Sequence, residues 1–212
     1  MADIQYFCID TETNGLNTSI HEITEISIIR NSDRVQLTEF IRCENPQNTN
    51  YDSLIKTGRT MEDLNKGKSK EEVVDKVIKF LNEDGLTPAH RCIIAHNASF
   101  DRRFLHALFE KCNQRFPADL WLCTMALTAK FYKLNGMKEP KNLKSACENL
   151  GVKRIIGQEH TSKMDTRNTY LLHKALVEDK QVDYIPLITT NIHILKSDSS
   201  QEECGLDPNL LD

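Results

Sequence analysis

Asp10 and Glu12 close the apolar opening of the stretch YFCIDTETNGL, residues 6–16. Four apolar residues, Tyr6 to Ile9, lead straight into them, as a short buried strand would. In an extended chain, residues i and i+2 point to the same side. The two carboxylates therefore share a face and repel. Two readings fit: a solvated strand end, or a site that holds a positive group between them. Asn14-Gly15 follows at once, a tight turn that lets backbone approach a ligand. The C-terminal ends of strands are also where α/β sheets place ligands.

Two further acids repeat the theme. Asp101 heads a stripe with Phe104, Leu105 and Leu108 at i+3, i+4 and i+7, and Asp165 heads one with Thr169, Leu172 and Leu176 at i+4, i+7 and i+11. Each lies on the apolar side of its predicted helix. A carboxylate facing the core is costly unless it is paired or binds a metal, although each also fits an ordinary first-turn acid. Four carboxylates meeting at one place require cations. Hard divalent ions held by carboxylates, water and phosphate oxygens meet that need. Two of them about 4 Å apart can clamp the attacking and leaving oxygens of a phosphodiester. His160 lies five residues before Asp165 in a loop. Its unperturbed pKa of about 6.5 suits proton removal from water at neutral pH. His96, at a predicted strand end, is the nearest rival and reads as structural.

The composition bounds what can carry such a site. The chain has 212 residues, 39% hydrophobic and 27% charged, which suits one domain with a possible appendage. A net charge of -4 argues against a protein that coats long nucleic acid, though not against an enzyme gripping a few nucleotides through metal ions. Seven cysteines, odd in number and without a C-x-x-C pair, read as reduced core residues of a cytoplasmic protein. The start MADIQYFC lacks a signal-peptide pattern. No apolar run approaches the ~18 residues of a membrane span.

The elements that must position the acids are legible in outline. Residues 4–9, 22–29 and 34–42 read as strands, the last two joined by Asn31-Ser32-Asp33. Residues 43–70 read as a polar loop with one short helix near Met61–Leu64. Ser69 and Glu72 form a capping-box pattern before a stripe of Val73, Val74, Val77, Ile78 and Leu81, and Gly85 ends that helix. CIIAH (92–96) and LWLC (120–123) read as strands. Helices are expected from about Asp101, through TMALTAKFYK, over Asn142–Leu150, and from about Asp165 to Glu178. Pro186 argues against one unbroken helix in the stretch after Gln181. From Lys196 onward the polar, acidic composition suggests a disordered tail. The order predicts an α/β sandwich with a mixed sheet.

DTETNGL with HEITEISII, then IIAHNASFDRRFL, then HTSKMD, with TGRTMEDL between the first two, resemble the motifs of the DnaQ-like 3′–5′ exonucleases. The four acids and the histidine match the DEDDh subgroup. The likeness covers roughly residues 4–180, and the motif order is most similar to the proofreading exonuclease subunits of bacterial replicative DNA polymerases. The resemblance implies a ribonuclease H-like fold of the α/β class, with a five-stranded mixed sheet flanked by helices. It places the exonuclease domain at 1–182, with a partly disordered acidic extension at 183–212. It implies that Asp10, Glu12 and Asp165 hold one Mg²⁺ or Mn²⁺. Asp10 bridges to a second ion that also touches Asp101, and His160 is the general base. The products would be nucleoside 5′-monophosphates, released from the 3′ end of single-stranded nucleic acid.

By the same likeness, Thr13 and Leu16 contact or wedge the terminal nucleotides. Asn97 and Phe100 line the terminal pocket, where a ring can stack on a base. Leu16 and Phe100 fit ordinary packing equally. The motif DTETNG, rather than D-x-E-M-T-G, favours DNA, or a tRNA-trimming type, over an oligoribonuclease. Alternatives are an RNA 3′-end trimming exonuclease, a small-nucleotide phosphodiesterase, and a polymerase-docking module that retains the fold, with SDSSQEECGLDPNLLD as a partner peptide. The chain departs from the family pattern at Cys123, Ser162 and Thr166.

Overall fold

The computed structural model describes residues 4–155 and 161–190. Its elements run β1 (Gln5–Thr13), β2 (Ile23–Arg30), β3 (Gln36–Phe40), α1 (Tyr51–Thr57), α2 (Lys70–Asn82), β4 (Arg91–Ala95), α3 (Ala98–Lys111), β5 (Leu120–Cys123), α4 (Thr124–Leu134), α5 (Leu143–Asn149), α6 (Ser162–Lys174) and β6 (Thr189–Thr190). One mixed sheet has the order β3-β2-β1-β4-β5-β6. The first three strands form an antiparallel meander, β4 and β5 lie parallel to β1, and β6 pairs antiparallel with β5. The two-residue β6 makes six strands where five were expected.

Alternation along β1 sorts the core. Phe7 and Ile9 face α2 and α3 in a cluster with Ile26, Ile28, Val73, Val77, Phe104 and Leu105. Cys8 faces the other way, with Ile29, Cys92, Ile94 and Leu122 beneath Tyr170 and Tyr184. Asp10 and Glu12 continue the second set and lie on the α6 face. The described cysteines are all free thiols, and Cys8, Cys43, Cys92 and Cys147 are buried. Among the described residues no helix is long and apolar enough to cross a membrane.

Several boundaries differ from the sequence reading. β1 does not stop at Ile9 but runs on to Thr13, with Asp10, Thr11 and Glu12 opposite Ser27, Ile26 and Glu25. Backbone pairing is indifferent to the polarity of the side chains it carries. α1 arises inside the expected loop. Asn50 caps it by accepting from Asp52 N–H, and Gly58 ends it at φ 64°. The helix expected near Met61–Leu64 is a single 3₁₀ turn at Asp63–Asn65. α3 begins three residues before Asp101 because Asn97 adopts the left-handed conformation, φ 68°, that Asn tolerates. The capping box of α2 is formed by Ser69 and Glu72 as expected. The expected tail beyond Lys196 lies outside the described residues.

At the far end of β4 from the acids, Arg91 and Asp84 form an ion pair with side chains only 1% and 6% exposed. Arg91 Nε donates to Asp84 Oδ2 at 2.9 Å and Nη1 to the Pro117 carbonyl at 3.0 Å. Removing one partner of a buried pair strands the other charge. Arg91→Ala is therefore expected to lower stability by about 3–5 kcal/mol, measured by urea unfolding. A loss below about 1 kcal/mol, the size of an exposed pair, would show that the pair is not held in this way.

Candidate active site

Asp10 and Glu12 occupy alternate positions of β1, and Asp165 lies in the first turn of α6, which crosses the same sheet face. α6 is fastened there by side chains. Gln36 Nε2 donates to the Lys163 carbonyl at 3.0 Å and Arg167 Nε to Gln36 Oε1 at 2.7 Å, while the Thr166 hydroxyl donates within the helix to the Ser162 carbonyl at 2.6 Å, with the Ser27 carbonyl of β2 at 3.2 Å. One carboxylate oxygen each from Asp10, Glu12 and Asp165 lie within 4.8 Å of one another.

Asp101 arrives from the opposite face of the sheet, on α3, and is 2% exposed. Its Oδ1 accepts from the Thr11 N–H at 2.9 Å and from Thr11 Oγ1 at 2.8 Å. It is not part of the close group of three, but its charge reaches Asp10. Burial, then repulsion from Asp101, Glu12 and Asp165, holds the Asp10 carboxyl well above the usual carboxylate range. Burial, then Asp165 and Glu25, pushes Glu12 up to about 8, with Arg59 opposing. Burial pushes Asp101 up to about 7, against the hydrogen bonds from Thr11. Acids that resist ionisation for want of a counter-charge, with oxygens this close, fit a hard divalent cation.

Other site residues are placed as follows. Leu16 is 61% exposed on the turn after β1. The Thr13 hydroxyl donates to the Gly15 carbonyl at 2.7 Å and so braces that turn. A Cβ on Gly15 would meet the His21 ring at 2.3 Å, so this glycine makes room for that side chain. Asn97 Oδ1 accepts from Ser99 Oγ at 3.2 Å. Phe100 packs on Phe104 with ring centroids 4.8 Å apart, leaving it half-buried. His96 shares a 2.9 Å hydrogen bond with Thr124, and burial pulls its pKa down to about 4, which suits packing and not proton transfer. His160 lies outside the described residues.

Sequence reasoning missed three participants. Thr11 sits between the two acids and points to the other face, where it holds Asp101; the period-2 pattern alone could have shown that direction. Glu25 is buried directly opposite Glu12, a neighbour that only strand register reveals. Arg59 pairs with Glu25, donates to the Thr24 carbonyl at 3.2 Å and lies 4.7 Å over the Phe40 ring. Nothing in TGRTMEDL announces that role. Because the Thr11 hydroxyl is one of two donors to a buried carboxylate, Thr11→Val is expected to lower kcat/KM about tenfold, with Thr11→Ser retaining most of it. Equal rates for Val and Ser would show that the hydroxyl does not position Asp101.

Comparison with known proteins places the chain in a family and a fold. The RNase T exonuclease family matches residues 7–173. The PolC-type DNA polymerase III of Thermotoga maritima is 30% identical over 177 residues, covering 83% of this chain and 12% of the polymerase. The chain thus spans about an eighth of the length of such relatives. Among solved structures, the nuclease domain of 3'hExo, a DEDDh family member bound to rAMP, superposes with a TM-score of 0.66 at 17% identity, covering 84% of this chain and 94% of that one. E. coli Exonuclease I in complex with a dT13 oligonucleotide gives 0.68 at 14% identity, covering 84% and 42%.

Proposed function

This chain belongs to the RNase T exonuclease family, and from that premise we propose that it is a metal-dependent 3′–5′ exonuclease that releases nucleoside 5′-monophosphates. The observation that carries the proposal is the convergence of Asp10, Glu12 and Asp165 within 4.8 Å at the end of β1. Asp10, Glu12 and Asp165 would hold one Mg²⁺ or Mn²⁺, and Asp10 with Asp101 a second. Such ions, when bound, polarise the phosphoryl group and stabilise charge on the entering and leaving oxygens. Thr11 holds the Asp101 carboxylate in place through two hydrogen bonds to Oδ1. His160 would take the proton from the attacking water, the general-base role to which an imidazole is suited at neutral pH.

Leu16, Asn97 and Phe100 would seat the terminal nucleotide, with Thr13 shaping the turn beneath it. Single-stranded DNA is the favoured substrate, on the DTETNG motif. The two solved relatives were bound to rAMP and to a dT13 oligonucleotide, so the fold accommodates both sugars. The PolC-type relatives support a polymerase as a protein partner, and the buried free thiols support a cytoplasmic setting. The exonuclease domain would span residues 1–182, with 183–212 as its extension.

Incubation with 3′- and 5′-labelled DNA and RNA oligomers, with Mg²⁺, Mn²⁺ or chelator, tests polarity, sugar preference and metal dependence together. Mononucleotides from the 3′ end, absent in chelator and absent with Asp10→Ala, are expected. Oligomers left intact in both metals, or shortened equally by the variant, would overturn the reading.

A further inference from the structure

Beside the acids the same sheet face opens into a cleft of about 520 Å³. Its floor holds Glu25 on β2 and Phe40 opposite it on β3; Glu12 stands opposite Glu25 on β1, so the acids border the cleft. Its wall is the beginning of α6, with Lys163, Met164 and Arg167. Adjacent strands lie about 4.8 Å apart, so Phe40 is roughly 10 Å from Glu12.

The lining has the chemistry of a nucleotide site. Phe40 remains 53% exposed although it stands on the sheet. Arg59 lies over its ring and neutralises Glu25, so the floor does not repel phosphate. Lys163 is exposed at the rim and Arg167 is half-buried on the wall. An aromatic face with cations around it is how single strands are held without reading their sequence. The volume lies within the range of about 300–1,000 Å³ typical of ligand sites.

Position supplies the direction. Asn97 and Phe100 follow β4, on one side of β1. The cleft lies on the other side, over β2 and β3. A strand with its 3′ nucleotide by Phe100 and its scissile phosphate at the acids continues into the cleft. We propose that this cleft binds the nucleotides on the 5′ side of the scissile phosphate, with Phe40 stacking a base and Lys163 and Arg167 holding the backbone. The inference rests on the exonuclease reading for that direction, while binding itself can be tested without cleavage.

The test is anisotropy of a fluorescein-labelled thymidine hexamer in chelator, where no metal-dependent chemistry runs. Phe40→Ala is expected to raise the Kd about tenfold, the effect of losing one stacked base. Lys163→Gln is expected to flatten the salt dependence by about one phosphate contact. Both side chains are exposed, and unchanged urea midpoints confirm that each variant folds. Affinities within twofold of the parent for both variants, with an unchanged salt slope, would overturn the inference even if the parent cleaves oligomers normally. A parent that binds through the cleft but cleaves nothing would instead sink the exonuclease reading alone.

Discussion

Replacing Asp10 with Asn is expected to do two opposite things: lower cleavage by about a thousandfold or more, and raise the melting temperature of the metal-free chain. Both follow from the same geometry. Removing a single electrostatic stabiliser of a transition state already costs about 10²–10³ in rate, and Asp10 is the carboxylate proposed to serve both ions. Burial penalises its ionisation most, and four like charges, Asp101, Glu12, Asp165 and Glu25, add to that penalty. Asn keeps the shape and removes the charge, so the folded state loses repulsion while the unfolded chain loses nothing comparable. At this chain length each 1 kcal/mol recovered shifts the melting temperature by about 2–4 °C. Scanning calorimetry in chelator, beside a gel assay in Mn²⁺, reads both effects. A variant that is inactive and less stable in chelator would mean that Asp10 is structurally satisfied and not held at a cost.

That trade-off explains why the acids were legible in the sequence while their setting was not. Asp10, Glu12, Asp101 and Asp165 stand out because each breaks a local rule, a carboxylate on an apolar face, and rule-breaking concentrates where function is. Thr11 breaks no rule. A threonine in a strand is ordinary, and its bond to Asp101 spans 90 residues. Glu25 lies in EITEISII, where no local signal marks it, yet it is 1% exposed and paired with Arg59. The helices anticipated best were those with local signals, α2 with its capping box above all. The elements missed were set by tertiary partners. α1 forms where Asn50 N–H donates to the Asn14 carbonyl at 2.8 Å, which ties the loop to the turn behind the acids.

The pH dependence of stability supplies the sharpest check on the cluster. Burial and neighbouring acids push Glu12 up to about 8 and Asp10 well above the usual range, whereas both titrate near 4 in an unfolded chain. Between those values the folded state holds protons that the unfolded state has released, so unfolding stability falls as pH rises. This is the reverse of ordinary acid denaturation. His96 and His173, both pulled down to about 4 by burial, act in the opposite sense, but only below their unfolded pKa of about 6.5. The informative window is therefore about pH 7 to about pH 8, below the titration of unfolded thiols near 8.5. In chelator the melting temperature is expected to drop by several degrees across it. In excess Mn²⁺ the drop should vanish or reverse, because cations displace the same protons and bind more tightly as pH rises. Asp10→Asn should flatten the chelator curve, since the charge that Glu12 resists acquiring would meet one fewer like charge. A parent chain whose metal-free stability rises from pH 7 to pH 8 would mean that these carboxylates ionise without strain. The cluster would then have no physical need of the ions proposed for it.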